Sequence, residues 1–213
     1  QSKFAAAWGK TGPTQVGLTV VEMINAAERG EVRGLFVLGE NPAMTDPDAN
    51  HARHVLEHME FLVVQEILHS ETTQYADVVL PATAFAEKDG TFTNTERRVQ
   101  RVRKALEAPG QARVDWAIIA ELGRRLQERL GLSADAGPYA GWDYAGPEEI
   151  FSEVAALTPS YAGMTYARVD AQGLQWPCPT AEHPGTPILH KGAFSRGRGL
   201  FTPIEWLPPA EQP

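Results

Sequence analysis

The chain has 213 residues, 43% of them apolar, which is enough to bury one full core. Its 19 Lys and Arg against 27 Asp and Glu give a formal charge of −8, so no whole-chain basic field exists to attract nucleic-acid phosphates, and no nucleic-acid partner is expected. The single cysteine, Cys178, excludes an internal disulfide and cannot alone furnish the thiolates of a zinc site or an iron–sulfur cluster.

No apolar run reaches the roughly 18 residues that span a bilayer, so no membrane contact is expected. Gln1 stands where an initiator methionine would, and both ends are read as possible boundaries within a longer polypeptide. Thr19 can cap a helix in the segment Gly17 to Gly30, with Val20, Met23, Ile24 and Ala27 at inward spacing. Leu35-Phe36-Val37-Leu38 follows as a strand apolar on both faces, the pattern of a parallel strand covered on both sides. Gly39-Glu40-Asn41-Pro42 is a turn in which Gly39 can take positive φ.

Asp48 to Met59 reads as a helix with Ala52, Val55, Leu56 and Met59 inward. Its His51, His54 and His58 flank the outward side; the last two have chelate spacing, but a solvated face is the expectation and no metal site is assigned. A second strand, Phe61 to Val64, runs into Gln65-Glu66. A short helix around Glu71 to Tyr75 then leads to a third strand, Asp77 to Leu80, stopped by Pro81. Strand, helix, strand, helix, strand implies right-handed crossovers and a doubly wound, Rossmann-like parallel α/β sheet with helices on both faces. Ligands of such sheets sit beyond the carboxyl ends of the strands.

Glu87 to Arg98 reads as irregular, with the Arg97 to Lys104 cations as a polar contact surface. A helix follows from Val114 to Leu130, with Trp116, Ile119, Leu122 and Leu126 inward. A linker from Gly137 to Pro147 precedes a helix from Glu148 to Leu157. The expected organisation is one α/β domain over residues 1–172 and an irregular Pro-rich tail over 173–213 leading toward a further domain. Cys178, between two prolines, reads as a packed thiol.

Five blocks carry a resemblance: LGENP with TDPD (Leu38 to Asp48), VQE (Val64 to Glu66), ADVVLP (Ala76 to Pro81), EKDGTFTNTERRVQRV (Glu87 to Val102) and VDW (Val114 to Trp116). In this order and spacing they resemble the molybdopterin oxidoreductases, most of all the α subunit of formate dehydrogenases, over roughly Gly17 to Pro179. The resemblance implies an interior piece of a large enzyme that oxidises formate to carbon dioxide. This piece would bind the nucleotide arm of one molybdopterin guanine dinucleotide of a bis-molybdopterin cofactor carrying molybdenum or tungsten. An iron–sulfur cluster and the metal ligands would lie outside it, and the piece alone would be inactive. The implied partners are the remaining domains of the same polypeptide and electron-transfer subunits. The implied compartment is cytoplasmic, or periplasmic where the parent carries a leader.

By the same resemblance the cofactor-binding residues are Gly39, Glu40, Asn41 and Thr45 after the first strand, Gln65 and Glu66 after the second, Lys88, and Asp115; none is catalytic. Where the family commonly has Asp after the glutamine, this chain has Glu66, one methylene longer. Guanine presents adjacent N1–H and amine donors that one carboxylate can accept, and both Asp115 and Glu66 qualify. Asp115 is preferred for guanine and Glu66 for a ribose diol, with the reverse split left open, and the pyrophosphate is expected to take backbone N–H groups or a cation such as Lys88. The alternatives are another molybdopterin oxidoreductase, such as a nitrate reductase, and the related non-catalytic scaffold in the large iron–sulfur subunit of NADH dehydrogenase.

Overall fold

The computed structural model describes residues 2–132, 138–139, 141–194 and 196–209. Gly137 and Ala140 of the expected linker, and Ser195 and residues 210–213 of the expected tail, lie outside the described residues. In chain order the helices are α1 (Ser2–Trp8), α2 (Val20–Glu28), α3 (Pro42–Thr45), α4 (Ala49–Glu57), α5 (Asp115–Arg129), α6 (Pro147–Leu157) and α7 (Tyr166–Val169). The strands are β1 (Gly34–Leu38), β2 (Phe61–Glu66), β3 (Val78–Pro81), β4 (Gly90–Thr93), β5 (Arg98–Val102) and β6 (Leu174–Gln175). They divide between two units, a parallel one built on Gln15–Ala84 with Ala108–Arg113, and an antiparallel one built on Phe85–Glu107 with Val114–Thr202.

In the parallel unit the expected α/β sheet is present, in the order β1-β2-β3 with all pairs parallel. Thr19 caps α2 through a reciprocal box, its side chain accepting from the Glu22 amide while the Glu22 carboxylate accepts from the Thr19 amide. Asp48 caps α4 by accepting from the His51 amide at 3.1 Å. Leu62 and Val64 of β2 are fully buried against Ala43 and Leu56, with Leu35, Val37 and Met59 packed around them. Each such side chain contributes about 1.5–3 kcal/mol by leaving water.

Covering of β1 on both sides is corrected by the structure. Leu35 and Val37 face the helices, while Phe36 and Leu38 on the other face are 41% and 42% exposed. Since β1 is an edge strand and α2, α3 and α4 all pack toward Leu35 and its neighbours, period-two alternation leaves its other residues uncovered. Among the described residues this unit keeps the expected α/β arrangement, a three-strand parallel sheet with helices packed on it, and the difference is confined to the open face of β1. Val20 and Met23, expected inward, are exposed; Ile24 and Ala27 make the α2 contact as expected, with Ala26 buried beside them.

The antiparallel unit corrects the irregular reading of Glu87 to Arg98. β4 and β5 form an antiparallel hairpin, with Gly90 opposite Val102, and β6 adds to its other edge. Its turn is closed by Arg97 at φ 68, a residue whose guanidinium is held by the carbonyls of Trp176, Thr186 and Pro187. The remaining cations of that run are also paired at home: Arg98 with Glu96, Arg101 and Arg103 with Asp170, Lys104 with Glu107. Val99, Phe151, Met164, Tyr166, Val169 and Cys178 make the core, so the chain around Cys178 packs inward. The expected inward stripe of α5 is largely exposed at Ile119, Leu122 and Leu126, and Ile118 and Ala120 are its buried residues.

Candidate functional site

Six of the eight expected site residues surround the carboxyl ends of β1 and β2. Leu38 lies opposite Gln65, and the Gly39 amide donates to the Gln65 carbonyl at 3.0 Å, so Gly39 leaves the sheet beside Glu66. Gly39 adopts φ 62, the left-handed region that explains glycine there, and open space surrounds the position a Cβ would take. Glu40 and Thr45 line the same cavity of about 330 Å³, with Val20, Met23, Leu38 and Pro42 as its apolar walls. The Gln65 side chain is buried, at 1% exposure. Glu66 turns one carboxylate oxygen back onto the Ile67 amide at 2.7 Å.

Asn41 braces this loop. Its Oδ1 accepts from the Thr72 amide at 3.2 Å and the Thr72 hydroxyl at 2.7 Å, and its Nδ2 donates to Glu71 at 2.6 Å. The amide bond from Asn41 holds the Glu71 carboxyl below the usual carboxylate range, helped by its own backbone amide and by Arg53. The Thr72 hydroxyl in turn accepts from the Ala43 amide at 3.1 Å, and the Thr45 hydroxyl donates to the Asn41 carbonyl at 3.1 Å. Thr72 and Glu71 were not singled out in the sequence: they stand 31 and 30 residues from Asn41, and no local periodicity links them.

Lys88 and Asp115 belong to the antiparallel unit, where they form an ion pair with each other. Asp115 opens α5, where its charge complements the positive helix end, and Val114 before it offers no capping side chain. Both line a cavity of about 360 Å³ whose walls include Trp116, Phe151 and Tyr166. Burial pushes the Tyr166 phenol up, opposed by the Arg101 guanidinium 3.7 Å from its ring centroid. Trp116 and Tyr166 were missed as cavity residues because their apolar character points equally to a plain core.

Within the parallel unit Glu40, Glu66 and the freed Gly39 backbone offer carboxylates and backbone groups at the strand tips, and within the antiparallel unit Lys88 and Asp115 offer a cation and a carboxylate to their own cavity. Among solved structures, acetylene hydratase from Pelobacter acetylenicus aligns with TM-score 0.51 and 19% identity over 78% of this chain and 22% of that chain, a likeness of fold. The "F420-dependent formate dehydrogenase 1 subunit alpha" of Methanococcus maripaludis is 45% identical over 98% of this chain and 30% of its own length. The corresponding subunit of Methanocaldococcus jannaschii is 46% identical over 92% of this chain and 28% of its own. The chain thus spans about 30% or less of the curated relatives it matches. The family model described as "Molybdopterin oxidoreductase" matches residues 4–125, and the chain belongs to that family.

Proposed function

We propose that this chain is the part of a formate dehydrogenase α subunit that holds the guanine-nucleotide arm of one molybdopterin guanine dinucleotide. The observation that carries the proposal is the pairing of β1 with β2, which sets Gly39 against Gln65 at adjacent strand tips, followed at once by Glu40 and Glu66. The cofactor, when bound with molybdenum or tungsten, supplies the two-electron redox chemistry that takes formate to carbon dioxide. The task of this chain is orientation: a nucleotide held at its far end fixes the pose of the pterin.

In this reading Glu66 accepts from a ribose diol, and the freed Gly39 backbone lets a phosphate or sugar approach. Asp115 accepts from the guanine edge, and its ion pair with Lys88 holds the carboxylate in place. Asn41 acts through the loop it braces, and Thr45 ties the end of that loop. Electron-transfer subunits, an iron–sulfur cluster elsewhere in the polypeptide and a cytoplasmic location belong to the same proposal. It is supported by the formate dehydrogenase names of the relatives.

Calorimetric titration of the 213-residue chain with GDP and with ADP tests the assignment. Guanine-selective binding that Asp115→Ala weakens is expected. An equal response to both nucleotides removes Asp115 from guanine recognition.

A further inference from the structure

The crossover from β1 to β2 runs through α4, so the carboxyl end of α4 lies at the amino-terminal pole of β2, opposite the strand tips. His54 and His58 stand there one turn apart, with Glu57 between them, and all three are exposed. The two imidazole centroids are 4.5 Å apart, and one ligand atom from each of the three side chains falls within 4.8 Å of the others.

A hydrogen bond sets the chemistry of one imidazole. His58 Nδ1 lies 2.8 Å from the His54 carbonyl, and a carbonyl only accepts, so Nδ1 carries the proton and Nε2 keeps its lone pair. This is the arrangement that orients a metal-binding histidine: one ring nitrogen anchored on a carbonyl, the other free to coordinate. The last turn of a helix also carries the negative end of the backbone dipole, which favours a bound cation.

Neighbouring basic side chains are engaged elsewhere. The Arg53 Nε donates to the Ala43 carbonyl at 2.8 Å, Arg33 pairs with Glu60 at 2.6 Å, and His51 meets Glu28 at 3.2 Å. We propose that His54, Glu57 and His58 form a binding site for a divalent transition metal of the zinc class. Two imidazole nitrogens and one carboxylate oxygen match the borderline preference of zinc and leave a fourth position to water. Bonds of about 2.0–2.1 Å set tetrahedral ligands about 3.3 Å apart, so these exposed side chains would have to draw together from their present spacing to close on one ion. The ion would tie the last turn of α4 to the start of the following chain.

The probe is zinc chloride, titrated by calorimetry into the metal-free full chain, with magnesium chloride as the hard-cation control. One saturable equivalent of zinc is expected, lost in both His54→Ala and His58→Ala and weakened in Glu57→Gln. A zinc-dependent rise in the unfolding midpoint should appear in the wild type and not in the histidine variants. Both histidines are exposed, so the variants should keep the wild-type far-UV spectrum. Full binding retained in either histidine variant would assign the ion to the other four of the chain's six histidines and overturn the proposal. Failure of the wild type to bind zinc saturably, or equal binding of magnesium, would do the same.

Discussion

Asn41→Ala should destabilise the parallel unit while touching no core side chain. Thr72 has 0% exposure, so loss of Asn41 leaves its amide without the Asn41 oxygen and without water, at about 1–3 kcal/mol. The Thr72 hydroxyl loses its own acceptor in Asn41 but still accepts from Ala43, which adds about 0.5–1.5 kcal/mol for one neutral hydrogen bond. The sum is about 1.5–4.5 kcal/mol, or a fall of about 3–18 °C in Tm at the 2–4 °C per kcal/mol usual for this chain length. Urea denaturation measures it, and a double-mutant cycle with Thr72→Val isolates the hydroxyl contribution. Glu71 adds a pH signature. Its folded pKa is depressed, so its contribution is full above the unfolded pKa and is lost as pH falls through the folded one; Asn41→Ala should flatten that acid limb. A change within about 0.5 kcal/mol of wild type, or full additivity with Thr72→Val, would refute the brace.

Thr19→Ala should cost about 0.5–2 kcal/mol by urea denaturation, because the Glu22 amide loses its cap, while Thr19→Ser should recover most of it. Bonds from the Thr19 amide and hydroxyl depress the Glu22 pKa, so stability there is lost as pH falls through the folded value. Since the amide is the larger cause and survives the substitution, Thr19→Ala should shrink this acid dependence without abolishing it. Gly163→Ala should unfold the antiparallel unit by at least about 3 kcal/mol, the upper range of overpacking. Its Cβ would meet the Thr180 carbonyl oxygen at 1.9 Å, and backbone cannot swing aside as a side chain can. The same variant should expose Cys178, buried in the wild type, to a thiol reagent, and unchanged labelling would contradict the packing described.

What the sequence determined by itself was the local grammar of the parallel unit. Thr19 ahead of an apolar period announced α2, the inward stripe of Ala52, Val55, Leu56 and Met59 announced α4, Gly39 announced a left-handed turn, and unbroken apolar runs announced β1 and β2. These signals are local because caps and backbone conformations are settled by atoms within a few residues. The ordered blocks around Asn41, Gln65 and Lys88 carried the family for the same reason: each is a short string read in place.

Only the tertiary structure decided which apolar faces are covered. Phe36 and Leu38 read as buried, yet β1 is an edge strand with one covered face, and the α5 stripe at Ile119 and Leu122 is also open. It decided that Glu87 to Arg98 belongs to a hairpin, because a cross-strand ladder such as Thr93 opposite Val99 leaves little trace in either strand alone. It also paired Lys88 with Asp115 across 27 residues and committed the Asn41 amide to Thr72 and Glu71. Burial and pairing depend on what lies opposite in space, and chain order does not carry that information.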